Sequence, residues 1–256
     1  CNHCLLSAGH CAAEASVAEF NVPVSNGAGT IFHPAPEDQY AIDVTSLQFE
    51  DGGVGADWCY FGCYANPNTG LTPFERQHLA RPLAASAPPV DLSVTIRVTG
   101  FGSDLTPPSS NFAQQTHRGP LAAAQGSSLE YLVDTTSGES GSALHWDQQG
   151  VTIGIHTHSG CDVAQTSGNH GTAIEHAALQ AALASPRGVC SRSGAAAVYC
   201  SAKVNSQGCL PTISFNGVPS ASDGAGSFTL AANLVLNNQL GRLVYGAVPA
   251  NTPFQG

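Results

Sequence analysis

The sequence predicts an all-β protein, on three observations. Its 28 glycines and 16 prolines punctuate short alternating apolar runs, the pattern of strands joined by tight turns. The run SALHW-DQQG-VTIGI (142–155) reads as strand, turn, strand. Only one stretch, Ala173 to Ala184, carries a helical stripe, in Ile174, Ala177, Ala178, Leu179 and Leu183, and Pro186 with Gly188 ends it.

In chain order, Leu5 and Leu6 begin an apolar strand that runs into small residues and then His10 and Cys11. WCYFGCY (58–64) is a second strand, and the strand pair over 142–155 precedes the helix. At 256 residues the chain has room for one large β domain with a small companion. The predicted boundaries are a first domain over 1–190, a linker of small residues over 191–197, and an incomplete β module over 198–256. In the module, FNG (215–217) and DGAG (223–226) are turn signals, and Ser227–Leu230 and Leu243–Tyr245 are apolar runs.

Charged residues make up 10% of the chain and the net charge is -10. This argues against a surface that tracks phosphates, so nucleic acid is not an expected partner. No run of about 18 apolar residues is present to span a bilayer. Nine cysteines beside a single lysine, Lys203, fit an oxidising compartment, and the expected location is secreted, extracellular or periplasmic. The chain begins at Cys1 and has no Met, so its translated start is expected to lie elsewhere.

Chemistry concentrates at a few positions. Ser140 sits in SGESGS (137–142), where glycines let a substrate carbonyl approach and let backbone N–H groups face an oxyanion. The same GxSxG string marks the elbow of α/β-hydrolases, but that fold places its acid and His after the Ser and follows the Ser with a helix. Here a strand follows, and a candidate His and acid lie upstream, in the order His…Asp…Ser.

On these residues the chain resembles the chymotrypsin-like serine peptidases, and within them the bacterial glutamyl-endopeptidase branch. LLSAGHC (5–11) is similar to the family's histidine box, ADWCYF (56–61) to its acid box and DTTSGESGSAL (134–144) to its nucleophile loop. VTIGIHTHSGC (151–161) resembles the strand lining the specificity pocket, and NHGTAIEHAALQAAL (169–183) the final strand and helix. The resemblance covers most of residues 4–186. It implies two antiparallel β-barrels, the N-terminal one truncated, and a C-terminal helix. Residues 198–256 resemble a short module at the ends of large secreted proteins of planctomycete-type and myxobacterial-type bacteria, from which no function follows.

The resemblance also implies roles. Ser140 attacks the peptide carbonyl, His10 moves its proton, and Asp57 orients the imidazole. Asp43 and Asp51 are rivals for the acid, but only Asp57 directly precedes an apolar strand. The N–H groups of Gly138 and Ser140 would form the oxyanion hole. Glu139 stands where many animal relatives keep an Asp that binds the freed N-terminal amine. For specificity, His156, Thr135 and Ser159 would hold an acidic P1 side chain. Asp134 argues instead for Arg or Lys, because trypsin-like enzymes carry their pocket-base acid six residues before the nucleophile.

His156 and His158, two apart on a strand, share a face, but no third ligand completes a metal set. No metal or cofactor is expected; the partners are protein or peptide substrates, and the chain is expected to be a monomer. In the family, Cys11 pairs with a Cys on the preceding strand, for which Cys1 and Cys4 are substitutes, and Cys161 is left for a cysteine such as Cys190. Cys59 and Cys63 lie about 13 Å apart on an extended strand, too far to bridge each other. Cys200 and Cys209 would close a small loop. A protease-like binding or adhesion protein is the alternative from another class, with the intact His-Asp-Ser set against it.

Overall fold

Among the described residues the strands fall into three sheets. β1 (Leu5–Ser7), β2 (Val17–Glu19), β3 (Gln39–Asp51) and β4 (Asp57–Cys63) form a four-stranded sheet in the order β1-β4-β3-β2. β5 (Thr95–Phe101), β6 (Gln114–Gln125), β7 (Ser128–Tyr131), β8 (Ala143–Trp146), β9 (Val151–His158) and β10 (Asn169–Ala173) close into an antiparallel barrel in the order β10-β7-β6-β5-β8-β9. β11 (Thr212–Gly217) and β12 (Phe228–Asn233) make a separate antiparallel pair. The structure is a computed structural model that describes residues 4–78, 80–160, 167–192, 204–217 and 228–236.

The chain divides into a unit over residues 2–193, which holds the first two sheets, and a unit over 194–256. In the larger unit, β4 is buried along its whole length. Its side chains alternate as a strand must. Cys59, Phe61 and Cys63 join Tyr40 and Ile42 in the core of the four-stranded sheet. Trp58 and Tyr60 turn the other way, onto Ile155 of β9, Ile174 and Leu179. The second cluster joins the open sheet to the barrel, whose own core is built from Ile96, Leu121, Leu129, Tyr131, Leu144 and Ile153. Truncating a fully buried residue of the joining cluster, such as Leu179, costs about 2–5 kcal/mol.

Two local expectations change. The helix α1 spans Ala177–Ala184 rather than starting at Ala173, because Ala173 is taken by β10, pairing with Gly154 and donating its N–H to Ser127 O at 2.7 Å. With the later start, Leu179 and Ala182 are buried, while Ala177 and Ala178 of the expected stripe are exposed. FNG (215–217) is the end of strand β11 rather than a turn, since Gly217 pairs with Phe228. The DGAG and Leu243–Tyr245 signals lie outside the described residues.

The cysteines pair differently from the family pattern. Cys4 is bonded to Cys190, across 186 residues, so neither partners Cys11 or Cys161. Cys11, Cys59 and Cys63 are thiols; burial pushes those of Cys59 and Cys63 up to about 12. Cys1, Cys161 and Cys200 lie outside the described residues.

Candidate active site

Asp57 opens β4 and is completely buried. A carboxylate in such a place needs donors, and the turn after β1 supplies them. Asp57 Oδ1 accepts the N–H of Gly9 at 2.5 Å and of His10 at 3.1 Å, and Oδ2 lies 2.6 Å from His10 Nδ1. Of the three candidate carboxylates, Asp57 is the one that meets His10. Asp51 is exposed, and Asp43 is buried among Thr45, Tyr64 and Val189. The backbone of Asp57 is held from the barrel: its N–H donates to Thr172 Oγ1 at 3.0 Å, and that hydroxyl donates to Asp57 O at 2.7 Å.

Ser140 and His10 line one cleft of about 380 Å³. The loop that carries Ser140 takes its shape from two glycines. Gly138 (φ 99°) and Gly141 (φ 94°) occupy the left-handed region that favours glycine. A Cβ on Gly141 would also lie 2.4 Å from Ser7 Oγ, so only glycine lets the loop pass this close to β1. Gly141 donates its N–H to His156 O at 2.8 Å, and His156 returns its own to Ser142 O at 2.8 Å, which fixes the loop to β9. Glu139 is buried, with Oε2 accepting the Thr136 N–H at 3.1 Å, and burial raises its pKa.

The candidate specificity residues divide between two cavities. Thr135, His156 and Ser159 line the cleft with His10 and Ser140. Asp134 is exposed and lines a neighbouring depression of about 280 Å³ with Asp104, His117 and Glu139, and Thr135 borders both. His156 is 3% exposed and its Nδ1 is hydrogen bonded to Tyr131 Oη. Burial, then the neighbouring His158 and His10, lowers its pKa to about 4. His158 adds a third imidazole to the cleft, with Nδ1 at 2.9 Å from Thr157 Oγ1 and 3.9 Å from Asp57 Oδ2.

Three supporting residues escape the sequence reading. Thr172 grips Asp57, Tyr131 grips His156, and Asn169 joins the pocket walls. The Asn169 amide donates to Val133 O at 2.6 Å and to Thr135 Oγ1 at 2.7 Å, and its Oδ1 accepts the Gly160 N–H at 2.8 Å. The one signal that marks them is their place in β10, which pairs with the pocket strand β9, and in β7, which pairs with β10; in composition they read as ordinary core and strand residues.

The closed six-stranded barrel, the curled four-stranded sheet beside it and the terminal helix are the chymotrypsin-like two-barrel fold. Among solved structures, the chain is similar to a Glu endopeptidase in complex with MPD, with a TM-score of 0.50 and 17% identity over 69% of this chain and 77% of that one. It is also similar to the thermostable serine protease AL20 from an extremophilic microorganism (TM-score 0.44, 15% identity, 66% of this chain and 76% of that one). A third is the protease Anisep from Arthrobacter nicotinovorans (TM-score 0.43, 12% identity, 66% and 75%). No family model and no curated protein matches the sequence.

Proposed function

We propose that the chain is a secreted serine endopeptidase that hydrolyses peptide bonds through His10, Asp57 and Ser140 and prefers an acidic P1 residue. The observation that carries this is the short His10–Asp57 contact, made by the imidazole that lines one cleft with Ser140. With its Nδ1 proton held by Asp57, His10 is left with Nε2 as the base for the Ser140 hydroxyl. Attack forms a tetrahedral intermediate whose oxyanion is taken by the N–H groups of Gly138 and Ser140, and His10 then protonates the leaving amine. The acyl-enzyme is released by water along the same route.

For P1, what supports an acidic side chain is that His156, Thr135 and Ser159 share the cleft with Ser140 while Asp134 lines the neighbouring depression. Secretion is supported by the cysteine content, the scarcity of lysine and the Cys4–Cys190 disulfide. The test is labelling by a fluorophosphonate: wild type reacts and Ser140→Ala does not. Equal labelling of the two, or none of wild type, refutes the peptidase reading. Peptides ending in Glu are cleaved faster than peptides ending in Arg; the reverse order refutes the P1 reading and promotes Asp134.

A further inference from the structure

Two imidazoles in the cleft turn the same atom toward one carboxylate. His10 Nδ1 lies 2.6 Å from Asp57 Oδ2, and His158 Nδ1 lies 3.9 Å from the same oxygen. The His10 proton therefore sits on Nδ1, where the buried carboxylate accepts it. The His158 proton belongs on Nδ1 as well, because a lone pair there would face the anion, and Thr157 Oγ1 accepts it at 2.9 Å. Each ring keeps a bare Nε2. The two nitrogens of an imidazole point to opposite sides of the ring, so both lone pairs face away from Asp57, in the cleft that both residues line.

Their spacing suits a shared ion. The ring centroids of His10 and His158 are 6.0 Å apart, with the planes inclined at 62°. Two imidazoles on one tetrahedral zinc hold their centres about 5 Å apart, so a shift of about 1 Å brings both onto the metal. Both side chains are about one-third exposed, 35% for His10 and 36% for His158, which lets a hydrated ion reach them. Each also has the outer partner a metal-bound histidine needs on its far nitrogen, a carboxylate for one and a hydroxyl for the other. His156, the third ring of the cleft, is placed differently: it is buried, with Nδ1 engaged by Tyr131 Oη.

We infer that His10 and His158 form a zinc site in the cleft, through which a metal ion reversibly silences the peptidase by occupying the lone pair of its base. Silencing rests on the reading of His10 as the base for Ser140; the metal site itself does not. With Nε2 bound to zinc, His10 has no electron pair to take the Ser140 proton. Among the described residues no group of three His, Cys, Asp or Glu side chains is arranged to hold a metal. Two imidazoles therefore hold the ion and water fills its other positions, which makes it an exchangeable restraint rather than a resident cofactor. The all-nitrogen pair selects zinc and similar transition metals over calcium and magnesium, which take oxygen ligands.

The experiment titrates the full chain with zinc sulfate and follows peptide cleavage together with labelling by a fluorophosphonate that has no P1 side chain. Both are expected to fall and to recover on adding EDTA, while calcium and magnesium at the same concentration leave them unchanged. In His158→Phe, measured against that variant's own zinc-free rate, half-inhibition needs about tenfold or more zinc, and His158→Cys, which returns a zinc ligand, restores sensitivity. Equal inhibition of wild type and His158→Phe, or none of wild type, overturns the inference. Cleavage that falls while labelling persists places the ion on His156 and His158 and overturns the part of His10. Calorimetry keeps the two readings apart. Zinc binding to Ser140→Ala is expected at one ion per chain and weakens about tenfold or more when either His10→Ala or His158→Phe is added. Absence of labelling in zinc-free wild type removes the peptidase reading, and calorimetry still decides the site: binding that neither change weakens overturns it.

Discussion

Thr172 and Asp57 exchange two hydrogen bonds, the Asp57 N–H entering the Thr172 hydroxyl at 3.0 Å and the hydroxyl donating to Asp57 O at 2.7 Å. Thr172 belongs to the barrel strand β10 and Asp57 to the open sheet, and both are completely buried. One side chain thus ties the acid that faces His10 to the body that carries Ser140. Thr172→Val keeps the shape and removes both bonds, leaving a buried N–H and a buried C=O unpaired at about 1–3 kcal/mol each. The expected result is an earlier urea midpoint and a fall of about tenfold in fluorophosphonate labelling, because Asp57 no longer fixes His10. Thr172→Ser, which keeps the hydroxyl, restores both. Labelling unchanged in Thr172→Val would show that Asp57 is placed without this contact.

What is legible in the sequence divides along the same lines. His10, Asp57 and Ser140 stand out because the chemistry demands particular residue types, and glycines in the left-handed region at 138 and 141 mark the loop between them. Thr172, Tyr131 and Asn169 do not stand out, because each sits in a strand where a hydroxyl, an aromatic ring or an amide has many ordinary uses. Their partners, Asp57, His156 and Gly160, are set by register and barrel closure rather than by spacing. The two cavities around Thr135 are hidden for a related reason: six residues before Ser140 gives a distance along the chain, not the side of the wall on which Asp134 emerges. The disulfide is the extreme case, since no local pattern relates Cys4 to Cys190.

Asp43 gives the larger unit an acid-sensitive joint. Burial works against its charge, but the N–H and hydroxyl of Thr45, the N–H of Val189 and the Tyr64 hydroxyl outweigh it and hold the carboxyl down to about 2, against 3.8 for an ordinary aspartate. A depressed carboxyl stabilises the fold above its unfolded pKa, and that contribution is lost as the pH falls through the folded one. The window here is from about pH 4 to about pH 2, and the contribution is about 2 kcal/mol. Urea unfolding of wild type and Asp43→Asn at pH 7, 4, 3 and 2 tests it. The variant is less stable at pH 7 and the difference shrinks toward pH 2; a constant difference would exclude the titration of Asp43 as its source.

Because Cys4 and Cys190 are separated by 186 residues, their bond closes almost the whole of the larger unit. In the chain-entropy account a loop of this length limits the unfolded state by about 5 kcal/mol. Cys4→Ala with Cys190→Ala is expected to lower the melting temperature by more than 10 °C, on roughly 2–4 °C per kcal/mol for a domain of this size. Reduction with dithiothreitol lowers wild type by the same amount and leaves the double variant unmoved. A shift in the double variant on reduction would reveal a second disulfide.

Asn169 is 1% exposed and spans the pocket from wall to wall: its amide holds Val133 O and Thr135 Oγ1 on one side, and its carbonyl holds the Gly160 N–H on the other. Asn169→Asp preserves the size and the acceptor toward Gly160 but turns a donor into a carboxylate facing Val133 O. Thr135 can answer by turning its hydroxyl toward the new acceptor; the Val133 carbonyl cannot. That hydroxyl is then withdrawn from the P1 side chain. The expected outcome is a rise of about tenfold or more in KM for peptides with Glu at P1, with labelling of Ser140 by a fluorophosphonate lacking a P1 group close to wild type. Measuring both separates a damaged pocket from a damaged nucleophile. Loss of labelling equal to the loss of peptide cleavage would mean that Asn169 supports the Ser140 loop rather than the pocket.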